Sequence, residues 1–369
     1  MSKSILYLGG FELPDKNAAA QRVMANAKLL QEMDFEVSFI GISKDIKNAP
    51  KEVNGFESNP IPYAQGTKQW MHQIFTFVET SAILERRLDY VVLYNFPAVA
   101  SLRILKACHK KGIKVVHDLT EWEATKGWSP RTIIRNWDIN LRMRYCMKKM
   151  DGVIAISRYL YEYYKPYTNV ILVPPTVDLT AEKWNRIRVL EAGKKIRLVY
   201  AGNAGFGVKD RLDIIAKTVV KHPNMQMDVI GMTEEDYTTG YGPLPERCNN
   251  IIFHGRVPHM EAVKAVQDAD FQFLIRDSNL KNNAGFPTKF VESMACCTPI
   301  IGTLTSNIGD YLKDGVNGFI VDNNHSLDDV LERISKLSSA EIVTMKEFCK
   351  NVKAFDYRVY KSVFGTIFK

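Results

Sequence analysis

Several protein classes are excluded by what this chain lacks. Cysteine is scarce: the 369 residues hold six, at 108, 146, 248, 296, 297 and 349. None forms a C-x-x-C pair or a zinc spacing, and the adjacent Cys296 and Cys297 cannot easily ligate one metal together. A disulfide scaffold or zinc module is therefore not expected. No apolar run approaches the roughly 18 residues that a membrane span needs. No signal peptide is read at the start, so the expectation is a reduced, cytoplasmic protein. Glycine (22) and proline (15) are too few for a collagen-like or low-complexity chain. Neither sign of charge dominates: 49 Lys and Arg against 41 Asp and Glu leave +8. That moderate excess favours an anionic partner, such as a nucleotide, a phospholipid surface or nucleic acid. What is present is an ordinary globular composition, 46% hydrophobic, long enough for two domains that each bury a core.

Short apolar runs alternate with helical patterns from end to end. In the first half, strands are expected at Ser4–Leu8, Phe35–Ile42, Tyr90–Tyr94, Ile113–His117, Gly152–Ile156 and Val170–Val173, with helices at Ala18–Met33, Lys68–Arg87, Ala98–Lys111 and Arg131–Met150. Val91-Val92-Leu93 and Val153-Ile154-Ala155-Ile156 are apolar throughout, as parallel strands covered on both faces are. The pattern starts again after a polar stretch, Thr176–Lys195. Strands then read at Ile196–Ala201, Gln226–Ile230, Ile251–His254, Phe271–Ile275, Pro299–Gly302 and Gly318–Val321. Helices fill the gaps between them, among them Asp210–Lys221 and Thr288–Cys296. Such alternation predicts an α/β chain of two Rossmann-like domains with parallel sheets. The expected division is 1–184, 185–352 and 353–369. Phe355, Val359, Val363 and Ile367 recur at every fourth position, which predicts a last helix with one apolar stripe, packing back on the first domain. Ligands of such folds bind beyond the carboxyl ends of the strands.

The strongest motif runs from Asn282 to Ile301. A polar loop containing Asn283, Gly285 and Phe286 leads to Pro287-Thr288-Lys289, then Glu292-Ser293-Met294-Ala295 and Thr298-Pro299-Ile300-Ile301. Gly285 permits a close backbone approach, and Pro287 suits the first helical position. A lysine in a first turn opposes the helix dipole unless an anion is there as well. Free N–H groups and Lys289 would suit a diphosphate. The alternative is a capped helix with Lys289 and Glu292 as a solvated i,i+3 pair.

In this motif the sequence resembles the family-4-like glycosyltransferases of the GT-B fold, and the resemblance extends over nearly the whole chain. It implies two facing Rossmann-like domains, with the donor mainly on the second and the acceptor on the first. It implies that Lys289 and the helix start hold the donor diphosphate and that Glu292 binds the ribose. The family's earlier glutamate, which touches the donor sugar, is Ala284 here; Asn282 or Asn283 could take its place. Gly202, Asn203 and Lys209 resemble the segment that grips the donor phosphates, with Asn203 where an arginine is usual. Arg256 falls in the segment lining the base pocket, and Arg276 in the loop leading to the motif. Gly9, Gly10 and Arg22 fall on the acceptor side. His117 and Asp118 resemble the pair that ends a strand and contacts the donor sugar, although a strand-end histidine is commonly structural. The resemblance implies retention of configuration, no metal and no cofactor beyond the nucleotide-sugar co-substrate, UDP- or GDP-linked. It implies a saccharide or lipid-linked acceptor, no nucleic acid, and a setting in bacterial polysaccharide or glycolipid assembly. The rival readings are a sugar-nucleotide epimerase of the same fold and a non-catalytic protein that binds anionic ligands.

Residues 131–150 add a compositional signal: six basic residues (131, 135, 142, 144, 148, 149) with one acid, Asp138. Trp122, Trp128 and Trp137 are close in sequence, and Trp70, Phe75 and Phe77 lie in a second segment. Exposed, these would suit weak peripheral contact with an anionic membrane; otherwise the aromatics are core and the basic residues a solvated helix face.

Overall fold

A computed structural model describes the chain except residues 1, 124–126, 185–186, 188–194, 203–208 and 247. Two compact units account for it. Unit 1 comprises Met1–Val177, Ala284–Phe286 and Asp356–Lys369; unit 2 comprises Asp178–Asn283 and Pro287–Phe355.

Unit 1 contains β1 (Lys3–Gly9), β2 (Phe35–Ile40), β3 (Ile42–Ser43), β4 (Glu52–Val53), β5 (Phe56–Ser58), β6 (Ile61–Pro62), β7 (Tyr90–Tyr94), β8 (Lys114–Leu119), β9 (Gly152–Ala155) and β10 (Val170–Leu172). Eight of them form one sheet in the order β10-β9-β8-β7-β1-β2-β5-β4. It is parallel except for the β4–β5 edge pair. All of β7 and β9 is buried, as their uninterrupted apolar sequence requires. The helix Ala18–Gln31 starts where the Asn17 side chain accepts the Ala20 N–H. Its Ala20, Val23, Ala27 and Leu30 join the sheet core. The strand order reverses between β1 and β7, and Gly9 ends β1 there. A Cβ at Gly9 would sit 2.7 Å from the Tyr94 carbonyl oxygen, so no side chain fits.

Unit 2 contains β11 (Ile196–Ala201), β12 (Met225–Ile230), β13 (Ile251–Gly255), β14 (Phe271–Leu274), β15 (Ile300–Gly302) and β16 (Gly318–Ile320). They form a parallel sheet in the order β13-β12-β11-β14-β15-β16. Its order reverses between β11 and β14, the place where an open α/β sheet leaves a crevice for ligands.

Four expectations change. The helix expected at Lys68–Arg87 is two, Gly66–Phe75 and Thr80–Leu84, broken where Phe77 takes a positive φ of 62°. The helix expected at Arg131–Met150 is Pro130–Arg144 followed by a 3₁₀ turn, Cys146–Lys149. Unit 1 gives way to unit 2 after Val177, earlier than residue 184. Trp184 is buried, and Gln267 of unit 2 donates to the carbonyls of Lys183 and Trp184. The last segment is not one striped helix. It is three short pieces, Lys353–Phe355, Tyr357–Tyr360 and Lys361–Phe364, and Val359 of the expected stripe is exposed. Phe355 stays in unit 2 against Phe290 and Tyr311. Residues from Asp356 onward belong to unit 1: Tyr357 donates to Glu32 at 2.7 Å, and Phe368 packs on Phe35 and Tyr90.

Candidate functional site

The switch point of unit 2 holds a cluster of charges. Tyr200 is the fifth residue of β11, Arg276 follows β14, and Asp210 precedes the helix Leu212–Val219. Lys289 stands in the first turn of the helix Thr288–Ala295, which has no side-chain cap at Pro287. The Lys289 ammonium donates to Asp210 Oδ2 at 2.5 Å and to the Tyr200 hydroxyl oxygen at 2.6 Å, 4.1 Å from the Tyr200 ring centre. Tyr200 donates to the same carboxylate at 2.6 Å, and Arg276 Nε donates to Asp210 Oδ1 at 2.5 Å. Asp210 is wholly buried, and the side chains of Lys289 and Arg276 are 13% and 11% exposed. Burial raises the Asp210 carboxyl, but Lys289 and Arg276 outweigh it and hold the group below its usual range. Burial likewise pulls the Lys289 ammonium down to about 8, with Asp210 opposing the fall.

Glycine makes room for this arrangement. Gly202, just after β11, has φ +122°, and a Cβ on it would lie 2.5 Å from Lys289 Cε. Gly231, after β12, has φ +100° and would press its Cβ to 3.1 Å from the Gly202 carbonyl. Both positions demand the conformational freedom of glycine. Two cations thus meet one anion in a half-buried place beside an uncapped helix start, and the cluster carries a net positive charge. Lys209, next to Asp210, is exposed and adds to the excess. Such a surplus is costly to bury unless an anion balances it.

Glu292 lies one turn beyond Lys289 and is half-buried. Burial raises its carboxyl above the usual range, while Lys183 and Lys289 oppose that shift. The solvated Lys289–Glu292 pair does not form; Lys289 is paired with Asp210 instead. Asn283 is tied to Ser278 and accepts the Ser306 N–H, and Asn282 donates to the Asp277 carbonyl. Both amides therefore hold the loop in shape. Thr288 and Gly285 are half-buried, Phe286 and Pro287 buried, and Arg256 exposed after β13. Asn203 lies outside the described residues. Asp210 and Tyr200 are the partners that sequence reasoning missed as site residues. They stand 79 and 89 residues from Lys289, and no local spacing links them.

The unit 1 candidates are inward-facing. His117 and Asp118 are both fully buried at the end of β8. Asp118 receives Tyr7 Oη at 2.5 Å, Arg22 Nε at 2.9 Å and Asn26 Nδ2 at 3.1 Å. Arg22 also donates to the carbonyls of Val173 and Pro174 at 3.0 and 3.1 Å. Arg22 and Asp118, expected to face acceptor and donor sugar, are thus spent on each other and on the chain following β10. His117 Nε2 accepts the Phe96 N–H at 3.2 Å. Burial first, then Arg142, lowers its imidazole to about 3, so the ring is neutral and offers no face to a ligand. Gly10 is exposed.

The basic segment divides by burial. Trp122 and Phe77 belong to the core, and so does Arg142, which donates to the Asn95 carbonyl at 2.6 Å. Trp128 is 91% exposed, and Ile133, Trp137 and Tyr145 are about half exposed. Arg131, Arg135, Arg144 and Lys149 are exposed alongside them, whereas Asp138 is buried and caps Ala98 N–H. Tyr63, Trp70, Arg131 and Arg135 line an open cavity of about 320 Å³. No helix among the described residues is long and apolar enough to cross a membrane. Nor do the described residues include a group of three His, Cys, Asp or Glu side chains placed to hold a metal ion.

Comparison with known proteins bears on the whole chain. The family described as "Glycosyl transferases group 1" matches residues 182–355. An uncharacterized glycosyltransferase of Methanocaldococcus jannaschii is 24% identical over 204 residues, 54% of this chain; the match spans 52% of that relative, about half its length. Sucrose-phosphate synthase from Thermosynechococcus elongatus superposes with a TM-score of 0.74 at 14% identity, covering 99% of this chain and 98% of that one. Anabaena HepE in complex with UDP and glucose gives a TM-score of 0.68 at 13% identity, with the same coverage. At such identities the structural likeness is one of fold. Residues 182–355 are therefore a glycosyl transferases group 1 domain, and the chain as a whole has the GT-B fold.

Proposed function

We propose that the chain is a glycosyltransferase that moves a sugar from a nucleotide-sugar donor to a saccharide or glycolipid acceptor, with retained configuration and without a metal. One observation carries the reading: the positive surplus of Lys289, Arg276 and Lys209 over Asp210, at the uncapped start of the Thr288–Ala295 helix. A nucleoside diphosphate supplies the missing negative charge and accepts the free N–H groups. When the glycosidic bond breaks, charge grows on the leaving diphosphate, and preorganised cations stabilise that growth more than the ground state. On this reading Glu292, one turn beyond Lys289, accepts hydrogen bonds from the ribose hydroxyls. HepE has been solved with UDP and glucose, which makes UDP-glucose the first donor to try.

A thermal-shift panel of UDP-, GDP-, ADP- and TDP-sugars tests the reading. A ligand at 100 times its dissociation constant adds about 2.7 kcal/mol to stability. No shift with any member of the panel overturns it.

We also propose weak peripheral contact with anionic membranes through Trp128, Ile133, Trp137 and the exposed Arg131, Arg135, Arg144 and Lys149. Exposed aromatic and basic side chains follow one another here without an exposed acid between residues 127 and 149, a composition that suits a negatively charged interface. Each basic residue near such a surface contributes about 1 kcal/mol. Co-sedimentation with phosphatidylglycerol vesicles should appear at low salt and fade as salt is added; its absence at low salt refutes the contact.

A further inference from the structure

Asp210 has a role that the donor reading alone does not assign. Its backbone is fixed on both sides: Tyr241 Oη donates to its carbonyl at 2.9 Å, and the next residue, Arg211, donates its N–H to the Ile275 carbonyl at 2.8 Å. Its carboxylate is wholly buried. Three side chains reach it from three elements: Tyr200 from β11, Arg276 from the end of β14, and Lys289 from the helix Thr288–Ala295. An ammonium and a guanidinium repel each other, and the carboxylate that contacts both offsets that repulsion. Resting on the donor reading of this site, we propose that Asp210 is a positioning residue, an internal anion that gathers Lys289 and Arg276 at the helix start and keeps Lys289 charged for the donor diphosphate.

The surroundings of Lys289 support this assignment. It faces Tyr200, Lys209, Asp210 and Arg276 from neighbouring segments and Glu292 on its own helix. Burial lowers the ammonium to about 8; Arg276 and Lys209 push it the same way, and Asp210 opposes them by charge and by hydrogen bond. Without that carboxylate, a buried lysine beside two cations loses its proton near neutral pH. It would then stand at the site without the charge that a diphosphate needs.

The test is a direct titration of Lys289 by NMR, in protein carrying ¹³Cε-lysine, with the resonance assigned by Lys289→Arg. The wild type should break near pH 8. Asp210→Asn should move the break down by about one unit or more, the usual effect of losing an opposite charge at contact. Arg276→Gln should move it up, because it removes a cation and leaves Asp210 to Lys289. UDP and GDP, used as probes, should lose affinity above the same break in each protein. A break that stays in place in folded Asp210→Asn, or fails to rise in Arg276→Gln, overturns the proposal. The second variant decides if the first does not fold. Wild-type protein that binds neither UDP nor GDP overturns the donor reading instead, an outcome that the Lys289 titration separates from failure of the Asp210 assignment.

Discussion

The two units bury the same device and use it differently. In each, the tyrosine at the fifth position of the first strand, Tyr7 in β1 and Tyr200 in β11, donates to a buried aspartate that also pairs with a cation. In unit 1 the set is balanced: one arginine against one aspartate, with side chains 3% and 0% exposed. Both charges are shut away from solvent, and Arg22 fastens the helix Ala18–Gln31 to β8 and to the chain after β10. In unit 2 the set has one cation too many, and the two cations keep an edge toward solvent. A closed, neutral cluster holds a fold together, whereas an open one with surplus charge has something left for a ligand.

Removing one cation from each cluster should break the comparison most sharply. Arg22→Met leaves Asp118 charged and unpaired in the core, so denaturant unfolding should show a loss of about 3–5 kcal/mol. Lys289→Met removes surplus charge and should cost far less stability, while kcat/KM with the preferred nucleotide-sugar falls about tenfold to a hundredfold. Equal destabilisation by the two substitutions would erase the distinction.

Glu292→Ala sharpens the unit 2 side. Loss of charge-assisted hydrogen bonds worth about 1.5–3 kcal/mol should weaken UDP or GDP binding roughly tenfold or more in calorimetry, with the melting temperature nearly unchanged. Retained affinity would remove Glu292 from the site.

Acid acts on the unit 1 side through His117. His117 titrates near 3 in the fold instead of 6.5. Between those values the unfolded chain binds the extra proton, so stability from the neutral, buried ring is complete above about pH 6.5. It is lost as pH falls toward 3, by at most about 1.4 kcal/mol per unit. His117→Asn should flatten that slope in unfolding curves measured from pH 7 to 4; an unchanged slope would mean that the ring is open to solvent.

The sequence made legible whatever is written in adjacent residues. β7 and β11 fall at Tyr90–Tyr94 and Ile196–Ala201 as expected, because apolar runs, interrupted only by Arg197 in the second, favour buried parallel strands. Residues Thr288–Ala295 were readable as a helix from their stripe and from Pro287. What escaped depended on distant partners or on backbone detail. Phe77 breaks a helix that its periodicity would continue. The tail's fourfold spacing meets 3₁₀ turns, with three residues per turn, and so loses its stripe. Lys289 read as the partner of a diphosphate or of Glu292, because Asp210, which it contacts, lies 79 residues away. His117 and Asp118 looked available because a strand end in sequence does not reveal what caps it; Arg22 and Asn26 do so from the helix Ala18–Gln31.

The return of Asp356–Lys369 to unit 1 bears on the order in which the protein forms. Tyr357, Phe364, Ile367 and Phe368 belong to the same core as Ile5, Tyr7 and Phe35. During synthesis the early strands leave the ribosome with that part of their core missing, and it stays missing until some 180 further residues, mostly those of unit 2, have followed. Unit 2 is nearly continuous in sequence and can close as soon as its last strand and helices emerge, since domains fold as units. The half of the molecule made first is consequently finished last, and a chain broken off before Tyr357 would carry a complete second unit joined to a first whose apolar floor lies open to water.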